Sequence, residues 1–330
     1  MSTGSVSSIR ESVLAPSEQA SLHEGYKSSQ RKIALNLAAI IAISAFGLWW
    51  GFWPQLHVLR TIWLDDGLRS IGMLIPVMSV LLAIRAWRGM VWKRDTTWWG
   101  LVLCVVSLLA ARLGSLFDPW LNIKSGVVIH MIPGGLLFFG FVSGVVLLFG
   151  GVSAYRRAFF PIALLLLVNP VPKSFTSLVD LPLQYIGAHT ANAFAGWLKT
   201  PLDGSELRLM FSPALGMFIA PGCNGLRGAI AMGYLALIVG YLYGLRIWLH
   251  AVYVVAAVLL AYLLNLVRLC SLVLCYKVAL GFPFLARHME AADYLLGSLI
   301  FFSAAVFVFA LPRRWTNNRP LSLRSLHLQQ

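Results

Sequence analysis

The segment Pro221-Gly-Cys-Asn-Gly-Leu-Arg227 concentrates more potential chemistry than any other stretch of this 330-residue chain. Proline and two glycines interrupt the backbone just ahead of a long apolar run, which places Cys223 at or near a helix N-terminus. Backbone N–H groups and the helix dipole there favour the thiolate, the reactive form of cysteine. The same N–H groups can hold a developing oxyanion, and Asn224 and Gly225 belong to that turn. Arg227 lies four residues on, hence on the same helix face one turn deeper. An arginine at that depth is costly and marks a functional site by default. A small buried cysteine beside a snorkelling arginine would explain Cys223 alone, but explains the whole segment less well.

Two further groups complete a set. Asn265-Leu-Val-Arg268 closes a later apolar run, and residues three apart share a helix face. An arginine fork can hold a carbonyl or carboxylate through two hydrogen bonds, although an interfacial anchor would look the same in isolation. His288, in Leu285-Ala-Arg-His-Met-Glu-Ala-Ala-Asp293, precedes the last apolar run. It can accept a proton from a thiol and return it to a leaving amine, with Glu290 or Asp293 to orient the ring. A metal reading of His288, Glu290 and Asp293 fails on spacing, because positions two apart on a helix diverge and no further His/Cys cluster completes a shell. No metal and no cofactor is expected. His189 and Asn192 share a face of another segment, and they, with Arg208, are candidate substrate contacts. His130 reads as a packed polar residue at a kink, and Cys104, Cys270 and Cys275 read as core residues.

The elements that must position these groups are set by composition. The chain is 59% hydrophobic and only 12% charged, with a net charge of +14. A soluble chain carries about 25% charged residues, so the bilayer is the implied solvent. The charge is no nucleic-acid footprint, since that requires a soluble basic face. Apolar runs near the ~20 residues of a spanning helix fall at 33–53, 68–87, 98–116, 127–150, 158–171, 221–243, 248–268 and 293–311. This predicts an all-α polytopic bundle of about eight transmembrane helices. Placing the N-terminus inside puts 15 of the 26 Lys and Arg, against four acids, on inner segments. That bias favours N-in/C-in. On that topology Cys223, Arg268 and His288 share the outer face, although their helices run in different directions. Nucleophile, cation and base at one wet rim are the minimum set for acyl transfer.

The chain divides into a polar N-terminal segment at 1–32, expected to be disordered in the cytoplasm, N-terminal helices over 33–157, a catalytic membrane core over 158–312, and a basic cytoplasmic tail at 313–330. The outer region 172–220 has room for structure. Leu181–Leu198 suits an amphipathic interfacial helix, and a Gly/Pro-punctuated stretch followed by Arg208–Met217 suits a short hairpin leading into the next span. Trp49, Trp50, Trp53, Trp98, Trp99 and Trp315 cluster near span ends, as an aromatic belt does.

Cys-x-Gly-x-Arg at the head of a span, Asn-x-x-Arg some forty residues on, and an outer histidine before the last span together resemble the exosortase/archaeosortase family. The likeness covers roughly residues 160–305 and includes Asn169-Pro-Val-Pro172. Asn224 stands where that family usually has serine. The resemblance implies a multi-pass membrane cysteine protease/transpeptidase of the bacterial inner membrane, active on its periplasmic side. Its partners would be the lipid bilayer, the membrane-held C-terminal sorting helix of an exported protein, of the PEP-CTERM type, and an unidentified acceptor. Carried over, Cys223 is the nucleophile, Arg268 the transition-state cation and His288 the acid/base, with Arg227, Asn265, Asn224 and Gly225 in support. Two readings from other classes stand beside it. One is a non-catalytic multi-pass transporter or assembly subunit of an exopolysaccharide or envelope system, weakened by the lack of any carboxylate inside a span. The other is an acyl- or glycosyltransferase using His288 without Cys223.

Overall fold

The structure, a computed structural model, describes residues 42, 44–47, 49–64, 70–90, 97–125, 133–168, 173–200, 208–212, 215–218 and 225–317; for 115–125, 173–177, 208, 212, 215, 217–218, 283 and 314–317 it describes the backbone alone. Cys223 and Asn224, His130, the polar segment 1–32 and most of the basic tail lie outside the described residues. The described residues are mainly helical, with one hairpin: α1 (49–64), a 3-10 turn Ser70–Met73 leading into α2 (Leu74–Trp87), α3 (Trp99–Ser125), α4 (Gly134–Ala163), α5 (Lys173–Trp197), β1 (Arg208–Ser212), β2 (Leu215–Phe218), α6 (Leu226–Leu242), α7 (Ile247–Ala279), α8 (Pro283–Arg287) and α9 (Met289–Asn317). The all-α expectation holds, and so does the hairpin, whose strands pair antiparallel with Arg208 opposite Phe218.

Four stretches of the described residues are long and apolar enough to cross a membrane: Ser70–Trp87, Gly134–Leu167, Ile247–Ala279 and Met289–Arg313. Trp99–Gly114 and Leu226–Leu242 are shorter apolar helices. The element boundaries differ from the apolar runs for physical reasons. The first run ends at Trp53 because Pro54 follows, yet α1 continues through Pro54 to residue 64. A proline removes the bond to the carbonyl four residues back. Here that carbonyl, Trp50 O, accepts from the Arg112 guanidinium, which also stacks 4.5 Å from the Trp50 ring. Similarly, α3, α7 and α9 run past their apolar stretches because helical hydrogen bonding does not stop where hydrophobicity does.

Compactness divides the chain into two units. The first comprises Met1–Leu59 with Ala86–Ile162 and the second Arg60–Arg85 with Ala163–Gln330. In the first, Phe52 stacks on Phe138 with ring centroids 4.9 Å apart and meets Phe141 edge-on at 5.4 Å. Cys104 is buried, its Sγ 3.6 Å from the Phe141 carbonyl. Within α4, Gly151 has φ 72° and ψ −179°, a conformation essentially restricted to glycine. Phe139 and Phe159 then hold their rings 6.4 Å apart, whereas twenty residues of straight helix would separate them by about 30 Å. The chain therefore folds back at Gly151, and Gly134–Leu167 is two helical arms, in keeping with the break between the runs at 127–150 and 158–171.

Among the described residues of the second unit, two core clusters are built on α7. Its N-terminal part buries Tyr253, Ala257 and Ala261 against Ala229, Met232, Ala236 and Val239 of α6 and Ala304 and Val308 of α9. The three- and four-residue spacings put these small and apolar side chains on single helix faces. Its C-terminal part packs Leu272 and Val273 against Ala188, Ala191 and Ala195 of α5 and Leu209 and Phe211 of β1. The 33 residues of α7 extend about 50 Å, well beyond a hydrocarbon core of about 30 Å. The surplus carries the second core. Outward-facing Val252, Val255, Leu259, Leu263 and Val267 form an exposed apolar stripe on α7, a surface that lipid solvates and water does not.

Candidate active site

Helix α6 begins at Leu226, three residues after Cys223, later than the apolar run from 221 suggests. Its N-cap is Gly225, with φ 80° and ψ −6° and no side-chain cap. The Gly225 carbonyl accepts the first helical bond from the Ala229 N–H at 2.9 Å. A side chain could not stand at Gly225. Its Cβ would come within 2.7 Å of Asn265 Nδ2, 2.8 Å of Cγ and 2.9 Å of Cβ. Gly225 thus lies directly against Asn265 of the Asn265-Leu-Val-Arg268 motif.

The starts of α6 and α9 and the middle of α7 enclose a cavity of about 550 Å³. Gly225, Arg227 and Gly228 line it from α6, Asn265 and Arg268 from α7, and Asp293, Tyr294, Gly297 and Ser298 from α9. Arg268 donates from both Nε (3.0 Å) and Nη2 (2.5 Å) to Asp293 Oδ1. The two side chains retain 20% and 34% of their exposure, so the pair sits partly open at the cavity rim. Arg227 is exposed and shares the cavity. Among the described lining residues two guanidiniums therefore face one carboxylate, which favours an anion or a developing negative charge in the space between them.

His288 forms the joint between α8 and α9, C-capping one and accepting at its carbonyl from Ala292 N–H of the other at 3.0 Å. Buried Met289 anchors the joint while the imidazole itself is exposed. Its Nδ1 lies 3.0 Å from the Phe284 carbonyl. A carbonyl only accepts, so Nδ1 carries the proton and Nε2 presents the lone pair that a general base needs. The Phe284 ring lies 4.7 Å from the imidazole. A backbone carbonyl, rather than Glu290 or Asp293, orients this ring. His288 is not among the residues lining the cavity, although it stands five residues before Asp293.

The remaining candidates fall elsewhere. His189 is exposed and Asn192 half-buried on α5, and neither lines the cavity. Helix α5 is longer than the 181–198 segment and begins at Lys173. Its buried Gln184 hydrogen-bonds Asp180, while burial pushes the Asp180 carboxyl above its ordinary value. Arg208 opens β1, with only its backbone described. Beside it, Phe211 stacks on Tyr276 at 5.0 Å and 5°, and Lys277 Nζ donates to the Leu198 carbonyl at the end of α5. These contacts tie the hairpin onto α7. Asp293 as the partner of Arg268, and Gly297 beside it, were not read from sequence. The available signal was their spacing of four on an apolar helix, which puts an acid and a gap on one face.

A helical membrane protein with a cavity lined by Gly225, Arg227, Asn265 and Arg268 is the class that fold and site define. The chain belongs to the transmembrane exosortase family, whose family model matches residues 63–315. No curated protein and no solved structure matches it.

Proposed function

We propose that this exosortase family member is a membrane cysteine protease/transpeptidase that cleaves C-terminal sorting signals, of the PEP-CTERM type, from exported proteins. It would act on the periplasmic side of the bacterial inner membrane, with about eight spans, both termini in the cytoplasm and the catalytic core in 158–312. The observation that carries this reading is the close packing of Gly225 on Asn265, one helical turn from an arginine held by Asp293 at a cavity rim. It supports the reading because Gly225, two residues after the proposed nucleophile, and Arg268, the proposed transition-state cation, line one cavity.

In the proposed mechanism the Cys223 thiolate attacks the scissile carbonyl. Arg268, with backbone N–H groups at the head of α6, stabilises the oxyanion. His288 Nε2, having taken the proton of the Cys223 thiol, gives it to the departing amine as the C–N bond breaks, leaving a thioester on Cys223. Water or an acceptor amine then attacks the thioester, its proton passes to His288 Nε2, and the thiolate leaves as the C–S bond breaks. The sorting helix reaches the rim sideways from the lipid. Arg227 adds positive potential, and Asn265 holds the turn that presents Cys223. The test is Cys223→Ala in cells, followed by a blot for the exported partner. Loss of processing is expected; complete processing by the variant would remove the nucleophile and this reading with it.

A further inference from the structure

We propose that Asp293 is a positioning residue that works through Arg268, with Gly297 as the ledge beside it. The inference rests on the enzyme reading above for the role of Arg268, but its geometry is independent of Cys223. An arginine that meets a carboxylate fork to fork uses both carboxylate oxygens. Here Nε and Nη2 both converge on Oδ1. That grip fixes the plane of the guanidinium from one edge, while Nη1 and the second Nη2 hydrogen have no partner among the described residues. A side chain that only closed a structural ion pair would spend its whole fork. This one keeps donors for a further acceptor.

Gly297 stands four residues after Asp293, on the same face of α9. A Cβ there would lie 3.3 Å from Arg268 Nε, 3.6 Å from Cζ and 3.7 Å from Cδ. The first distance is tight enough that the guanidinium would have to move. Asp293 and Gly297 therefore act together, one drawing the head group down and the other leaving room for it to lie flat. Long arginine side chains otherwise sample many rotamers. A second reason favours positioning over stability. The pair is partly exposed, 20% and 34%, and ion pairs in that setting contribute little to folding. Asp293 also offsets Arg227, the other guanidinium of the cavity, which would repel Arg268 once the carboxylate was gone.

The test uses the full-length protein. Arg268 modification by phenylglyoxal is followed by peptide mass spectrometry in detergent, processing of the exported partner is followed in cells, and melting is measured for each variant. For Asp293→Asn, modification of Arg268 should accelerate and processing should slow, each by roughly tenfold or more, since misplacement on the order of 1 Å at a reacting centre costs up to about 100-fold. Melting should stay near wild type. Asp293→Glu should recover part of the processing, and Gly297→Ala, which shifts the guanidinium while keeping the carboxylate, should slow it. The exchanged pair Arg268→Asp with Asp293→Arg should melt like wild type and remain inactive. An unchanged modification rate in Asp293→Asn, or processing restored by the exchanged pair, overturns the proposal. Should Cys223→Ala process normally, the enzyme reading falls, and the phenylglyoxal arm still decides whether Asp293 holds Arg268.

Discussion

Replacing Gly225 by alanine tests the junction on which the site depends. The residue has φ 80°, a left-handed conformation that costs a residue with a Cβ roughly 1–2 kcal/mol. The new methyl would also lie 2.7 Å from Asn265 Nδ2, 2.8 Å from Cγ and 2.9 Å from Cβ. The amide can rotate away, but the Asn265 Cβ is fixed to the α7 backbone. Relief therefore requires α6 to part from α7 at this end, and such overpacking typically costs about 1–3 kcal/mol. Together the two effects amount to roughly 2–5 kcal/mol, which lowers a melting temperature by about 3–7 °C in a chain of this size. Because Gly225 stands two residues after Cys223, the same movement should displace the proposed nucleophile, and processing should fall on the order of 100-fold. The double variant Gly225→Ala/Asn265→Gly separates the two effects. Removing the Asn265 side chain abolishes the clash but not the backbone cost, so the cycle should show a favourable coupling of about 1–3 kcal/mol. Thermal melting in detergent and the cellular processing blot read both. Wild-type melting and processing in Gly225→Ala, or strict additivity in the cycle, would refute the packing argument.

Other expected outcomes bear on separate links. Arg268→Lys keeps the charge but loses the two-nitrogen grip on Asp293 Oδ1, and turnover should fall at least about tenfold; wild-type turnover would exclude a role for the fork. A membrane-impermeant thiol reagent added from the outer side should label Cys223 and leave Cys104, which is buried, unlabelled; the reverse pattern contradicts the proposed topology. Phe211→Ala removes a buried ring stacked on Tyr276 and should cost about 3 kcal/mol locally, seen as faster hydrogen exchange over 208–218; unchanged protection would show that the stack does not anchor the hairpin. Asp180 has its pKa raised by burial, so the folded protein holds that proton more tightly than the unfolded chain and loses stability as pH rises through the carboxylate range. Asp180→Asn should flatten that part of a melting-versus-pH curve.

What could be read from the residues, and what could not, follows from the range over which each force acts. Hydropathy is a local quantity, and it located the apolar helices because a bilayer selects them one at a time. It could not locate their ends. Pro54 stops an apolar run but not a helix, since Arg112 satisfies the carbonyl that the proline leaves, and that partner is 62 residues away. Nor could it show that α7 outlasts its apolar stretch to carry Leu272 and Val273 into a second core. Chemistry at the site divides in the same way. Cys223, Arg227, Asn265, Arg268 and His288 stand out as candidates in the sequence because each is an unusual residue type at the end of an apolar run, where its cost demands a reason. Their partners were not. Asp293 could be assigned to His288 or to Arg268 from spacing alone, and only the crossing of α7 with α9 gives it to the arginine. The proton on His288 Nδ1 is held by a backbone carbonyl, a group every residue carries and no sequence pattern marks. Gly225 and Gly297 make the point most sharply, because each matters through a side chain it lacks, measured against a neighbour on another helix. A site of this kind is written in the sequence as its reactive groups, while the spaces that aim them exist only once the helices have packed.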